Sequence, residues 1–132
     1  NISIMSHEIT EFRFRTKDFT TPTLEHIQEA VKVISERQEK DKKVYIHCKV
    51  RIFFSKLFIL KIISNIILAG KGRSATIALC WLVFNQKLTP DEAQQKLSQL
   101  RPQIDPDIST RPEVLGYYQA LKESQQQTTT TN

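Results

Sequence analysis

Cys48, Arg73 and Asp18 are the side chains with which this chain could do chemistry, and the chemistry they suit is that of phosphate. Val44 to Lys49 reads as a buried strand ending in a cysteine, and Ala69 to Thr76 as a glycine-rich turn opening a helix. A phosphoryl group spreads charge over several oxygens and needs donors aimed at one point. Successive backbone N–H groups of a tight loop, followed by a helix N-terminus, supply them. Gly70 and Gly72 let such a loop turn its backbone inward without a clashing Cβ. The same field favours thiolate over thiol, which would make Cys48 nucleophilic near neutral pH. The planar fork of Arg73 can grip two phosphate oxygens, and Lys in its place could not. Ser74 can hydrogen-bond the thiolate and aid its departure, while His47 orients the loop. The leaving oxygen needs a proton from a carboxylic acid on a separate loop. Asp18, in a turn 30 residues before Cys48, is the candidate.

The elements that must position these groups alternate between strand and helix signals. Residues 9–15 alternate as an edge strand would. Thr23 has the character of an N-cap, and Leu24, Ile27, Ala30, Val31 and Ile34 recur at helical spacing behind it. Glu36 to Lys43 reads as a charged connection and Val44 to Ile46 as a short strand. Arg73 to Asn85 predicts a helix buried on nearly every side. Thr89-Pro90-Asp91-Glu92 is a helix start, with a capping Thr, Pro at the first helical position and acids that complement the dipole. Pro102 to Pro112 is a proline-broken loop, and a last helix follows. The pattern is α/β: a small, mostly parallel sheet flanked by helices. Residues 1–124 form one domain, and 125–132 a disordered polar tail.

Bulk properties narrow the class of partner. A length of 132 residues suits one independently folding domain. The net charge of +5 favours anionic partners: phosphorylated substrates or acidic lipid surfaces. No basic block interleaved with aromatics points to nucleic acid. Two cysteines make no secreted disulfide framework, which fits an intracellular, reducing compartment. Cys80 lies among Ala78, Leu79 and Trp81 and reads as core. Arg101 and Arg111 read as loop anchors or solvated groups, with contact to an anionic substrate the sharper alternative.

Joined across residues 50–68, the two halves give HCKAGKGRSAT, which carries a Cys-x5-Arg signature. With Asp18-Phe19-Thr20 and Pro22-Thr23-Leu24 upstream, and Thr89-Pro90-Asp91-Glu92-Ala93 downstream, the chain resembles the dual-specificity class of cysteine-dependent phosphatases. Within that class it is similar to the mitochondrial phosphatidylglycerophosphate phosphatase group. The resemblance covers roughly residues 12 to 122 without the interruption. It implies Cys48 as nucleophile, Arg73 as phosphate clamp and Asp18 as general acid. Lys49, Ala69, Gly70, Lys71 and Gly72 would furnish the loop amides. Phosphomonoester hydrolysis through a cysteinyl-phosphate, with no metal or organic cofactor, would be the reaction. A phosphoprotein or an anionic phospholipid would be the substrate of a monomeric enzyme, mitochondrial or cytoplasmic, with peripheral membrane contact open to it. Against the family pattern the chain reads as short at its N-terminus.

The departure that matters most is the interruption itself. Thirteen of the 19 residues from Val50 to Leu68 are apolar. Their number touches the lower range for a membrane span, but Lys56 and Lys61 would be costly at bilayer depth. A surface excursion leaning on a membrane and a translated non-coding stretch are the other readings. If the cradle needs Lys49 and Ala69 adjacent, the interruption impairs catalysis, and a non-catalytic phosphate-binding module becomes the alternative.

Overall fold

The computed structural model describes residues 2–6, 11–14, 21–40, 44–48, 60–63, 66–69, 72–100 and 102–130. Among them the elements run β1 (Ile2–Ser6), β2 (Glu11–Phe14), α1 (Leu24–Glu39), β3 (Val44–Cys48), β4 (Leu60–Ile63), β5 (Ile66–Ala69), α2 (Arg73–Gln86), α3 (Pro90–Leu100), a 3-10 turn (Ile108–Thr110) and α4 (Pro112–Thr130).

The described strands form one sheet in the order β2-β1-β3-β5-β4. The α/β class stands, but the expectation of a mostly parallel sheet does not. Of the four pairings only β3 with β5 is parallel; β1 with β2, β1 with β3 and β4 with β5 are antiparallel. The physical reason lies partly in the connections. Two residues separate Ile63 from Ile66, and so short a link can join only antiparallel neighbours. The edge strand expected from the alternation at 9–15 is β2.

The described parts of 50–68 belong to this sheet, with β5 in an interior position. That overturns the reading of the whole stretch as a surface excursion. Leu60, Ile62, Ile63, Ile66, Ile67 and Leu68 are branched aliphatic residues, the composition that suits sheet positions. Among the described residues no helix is long and apolar enough to cross a membrane.

Helices α1 and α3 start at threonine caps. The His26 N–H donates to Thr23 Oγ1 at 3.2 Å, opening α1. At α3 the capping is reciprocal: the Glu92 N–H donates to Thr89 Oγ1 at 3.3 Å, and the Thr89 N–H returns to Glu92 Oε1 at 3.1 Å. The Thr89 backbone bond first, and its hydroxyl second, hold the Glu92 carboxyl below its ordinary value. Helix α1 continues through Glu39, taking in residues 36–39 of the expected connection. Helix α4 continues to Thr130, so most of the expected disordered tail is helical. Once a packed segment nucleates a helix, the glutamines at 125–127 extend it at little cost.

Helix α2 is the centre of the domain. Its residues Ser74 to Val83 are all buried, because α1, α3 and α4 pack around it while β3 and β5 lie against it. A helix enclosed on all sides carries no polar face. Ile27, Ala30, Val31 and Ile34 of α1, Val44 and Ile46 of β3, and Ala93 and Leu97 of α3 complete the core. Helix α2 ends at Lys87, which sits in the left-handed region at φ 54°.

Candidate functional site

The two halves of the signature end on adjacent parallel strands. Residues 44–47 of β3 pair with 66–69 of β5, and the last pair is His47 with Ala69. Cys48 follows this pair at the C-terminal end of β3, where it also faces Ile2 of β1 across an antiparallel pair. Neighbouring strands lie about 4.8 Å apart. The backbone at Cys48 and the backbone leaving Ala69 therefore emerge side by side from the same end of the sheet. Helix α2 begins four residues after Ala69, with Gly72 as its cap and Arg73 as its first residue. Ser74, the next residue, is fully buried. Of the residues singled out in the sequence, Cys48 lies at the end of β3, Ala69 at the end of β5, and Gly72, Arg73 and Ser74 at the start of α2. Asp18, Lys49, Gly70 and Lys71 lie outside the described residues.

Gly72 offers no side chain to cap α2, and the first turn is fixed by other means. Its carbonyl accepts two bonds from Thr76, from the backbone N–H at 2.8 Å and from Oγ1 at 2.7 Å. Arg111 reaches in from the loop before α4. Its Nη1 donates to Thr76 Oγ1 at 3.3 Å, and its Nη2 donates to Asp105 Oδ2 at 2.9 Å and Asp107 Oδ1 at 3.2 Å. Asp105 closes on Gly72: a Cβ at that position would lie 2.9 Å from its Oδ2. A side chain at 72 would have to displace the Asp105 carboxylate.

Gln94 of α3 fixes the loop that carries these groups. Its Oε1 accepts the Ser109 N–H at 3.0 Å, and its Nε2 donates to the Asp105 carbonyl at 3.2 Å and to Ser98 Oγ at 3.1 Å. The reading of Arg111 as a loop anchor fits this arrangement. Gln94 and Asp105 carried no sequence signal of their own, and the contact between Arg111 and Thr76 spans 35 positions.

Cys80 is fully buried in α2, and burial raises its thiol far above the ordinary range, so it is chemically inert in the folded chain. Tyr117 is raised for the same reason, with the neighbouring Cys80 a second cause. Among the described residues no three His, Cys, Asp or Glu side chains converge as metal ligands would.

No family model matches the chain. Curated relatives do. It is 29% identical over 114 residues to the phosphatidylglycerophosphate phosphatase PTPMT1 of Arabidopsis thaliana, covering 86% of this chain and 28% of that protein. It is 30% identical over 122 residues to the phosphatidylglycerophosphatase and protein-tyrosine phosphatase 1 of Homo sapiens, covering 92% of this chain and 48% of that one. The chain thus spans less than half the length of these relatives. In fold it is similar to the crystal structure of Tk-PTP in a glycine-to-alanine mutant form, with a TM-score of 0.56 and 22% identity over 80% of this chain and 58% of the other. The active form of Tk-PTP gives 0.51 and 24% over 76% and 55%. The resemblance to cysteine-dependent phosphatases, and within them to the phosphatidylglycerophosphate phosphatase group, is borne out by these comparisons.

Proposed function

We propose that this relative of the phosphatidylglycerophosphate phosphatases performs their class of chemistry, phosphomonoester hydrolysis through a cysteinyl-phosphate. What supports the reading is the parallel register of β3 with β5, which brings the strand end at Cys48 beside the strand that feeds Gly72 and Arg73.

In the proposed reaction the Cys48 thiolate attacks phosphorus and the bond to the leaving oxygen breaks. Arg73 and the first amides of α2 balance the charge on the three equatorial oxygens. Asp18 protonates the leaving oxygen, then takes a proton from the water that attacks the cysteinyl-phosphate. Inorganic phosphate departs and the thiolate is restored. Lys49, Ala69, Gly70, Lys71 and Gly72 complete the cradle, and Ser74 steadies the departing sulfur. The substrate is an anionic phospholipid phosphate, in line with the names of the relatives and the net charge of +5. A mitochondrial or cytoplasmic setting goes with this reading.

The interruption sets the magnitude. The cradle needs Lys49 and Ala69 adjacent, whereas the ladder pairs Ala69 with His47, two residues earlier, so the strand ends do not reproduce the spacing of a continuous loop. Misplacement of about 1 Å costs on the order of 100-fold in rate. We therefore expect slow turnover of p-nitrophenyl phosphate by this chain, abolished by Cys48→Ser and strongly reduced by Arg73→Lys. A version lacking 50–68 should be about 100-fold faster. Equal rates for the two versions would refute the effect of the interruption, and turnover that survives Cys48→Ser would refute the mechanism.

A further inference from the structure

We propose that Arg111 is a positioning residue for the phosphate loop: with Asp105 and Thr76 it brackets the Gly72–Arg73 start of α2 and sets where the loop's amides and the Arg73 guanidinium point. The proposal rests on the phosphatase reading above.

The bracket has three points of attachment. Thr76 draws the Gly72 carbonyl back into the helix at 2.7 Å. The Arg111 guanidinium holds Thr76 through one nitrogen and Asp105 through the other. Asp105 fills the space beside Gly72 that a Cβ would need, and its own backbone carbonyl is tied to Gln94. A single planar fork thus fixes the hydroxyl and the carboxylate flanking the first residue of α2. Lysine carries all its donors on one atom and cannot reproduce the spacing of the two guanidinium nitrogens. Gly72 has no side chain with which to cap that turn itself. The Arg111 side chain is 19% exposed while Asp105 and Asp107 are 42% and 66% exposed, so the fork acts through its hydrogen-bond geometry rather than through strong ion pairing. The reach from the α4 side of the domain to the α2 start lets a residue remote in sequence decide the aim of donors that must converge on one anion.

The test uses the full chain and the variants Arg111→Met, Arg111→Lys and Thr76→Val. Three readouts are taken at 25 °C: amide hydrogen exchange over 72–76, the dissociation constant of inorganic phosphate, and kcat and KM for p-nitrophenyl phosphate. Arg111→Met and Thr76→Val should speed exchange at 72–76 by about tenfold relative to α3 and α4. They should weaken phosphate binding by about tenfold and lower kcat/KM by about 10- to 100-fold, with part of the loss in kcat. Arg111→Lys should recover the melting temperature more fully than kcat. Unchanged exchange in both variants would overturn the bracket whatever the activity. Faster exchange with unchanged phosphate affinity and kcat/KM would overturn the positioning role alone. A wild-type chain that neither binds phosphate nor turns over the ester would overturn the phosphatase reading and the positioning role with it, while the exchange data still judge the bracket.

Discussion

Gln94 gives the sharpest test of how the loop before α4 is held. Gln94→Leu keeps the size of the side chain and removes its polar end. The Ser109 N–H, on a residue only 6% exposed, then loses its acceptor. An orphaned buried donor costs about 1–3 kcal/mol. The Asp105 carbonyl and Ser98 Oγ lose a donor as well, but both residues are part-exposed and water can replace it, at about 0.5 kcal/mol each. The sum is about 2–4 kcal/mol. For a domain of this size, each kcal/mol lowers Tm by roughly 3–5 °C. Circular dichroism at 222 nm during heating should therefore show a Tm lower by roughly 6–20 °C, and urea unfolding a lower midpoint at constant slope. Gln94→Glu separates the two ends of the amide. It retains an acceptor for Ser109 but sets a carboxylate against the Asp105 carbonyl, so its deficit should shrink as pH falls and the acid protonates. A Gln94→Leu protein melting within about 2 °C of wild type would refute the reasoning.

Three further outcomes are expected. Lys87→Gly should raise stability by about 0.5–1 kcal/mol, read from urea unfolding, because glycine holds φ 54° without a Cβ penalty. The Thr89–Glu92 capping should depend on pH in a known direction: the folded carboxyl is depressed, so its contribution is present above the ordinary glutamate value and is lost as pH falls through the depressed one. Thr89→Ala should flatten the pH dependence of unfolding in that acid window, and an unaltered profile would count against the bonds. Iodoacetamide on the native chain at pH 8, followed by peptide mass mapping, should leave Cys80 unmodified and label Cys48; alkylation of native Cys80 would contradict its burial.

Much of the fold could be read from local signals, and the failures have particular causes. Thr23 and Thr89 announced their helices because a cap is a short-range bond between a side chain and the backbone three residues on. The unbroken apolar run from Ile77 to Val83 announced a helix enclosed by its neighbours. The strands in 60–69 were not legible, since an apolar run of that length fits strand, helix and membrane segment alike, and only the pairing of β5 with β3 decides. The parallel majority expected of the sheet failed for a related reason: strand direction depends on long-range pairing that periodicity does not record. At the site, Cys48 and Arg73 stood out by residue type and spacing, whereas Gln94, Asp105 and Arg111 act through a loop whose closure onto α2 no local pattern encodes.

The β3–β5 ladder has a consequence for how such a site could fail. When one peptide bond joins a nucleophile's strand to its anion loop, their spacing is covalent and survives any disturbance short of unfolding. Here that spacing is set by a few main-chain bonds between 44–47 and 66–69. A two-residue slip keeps every side chain on its own face, yet carries one strand end past the other by about 6–7 Å. Reactivity drawing on both ends would therefore vanish before the helical signal does, and would return on refolding only after the last strand had found its partner.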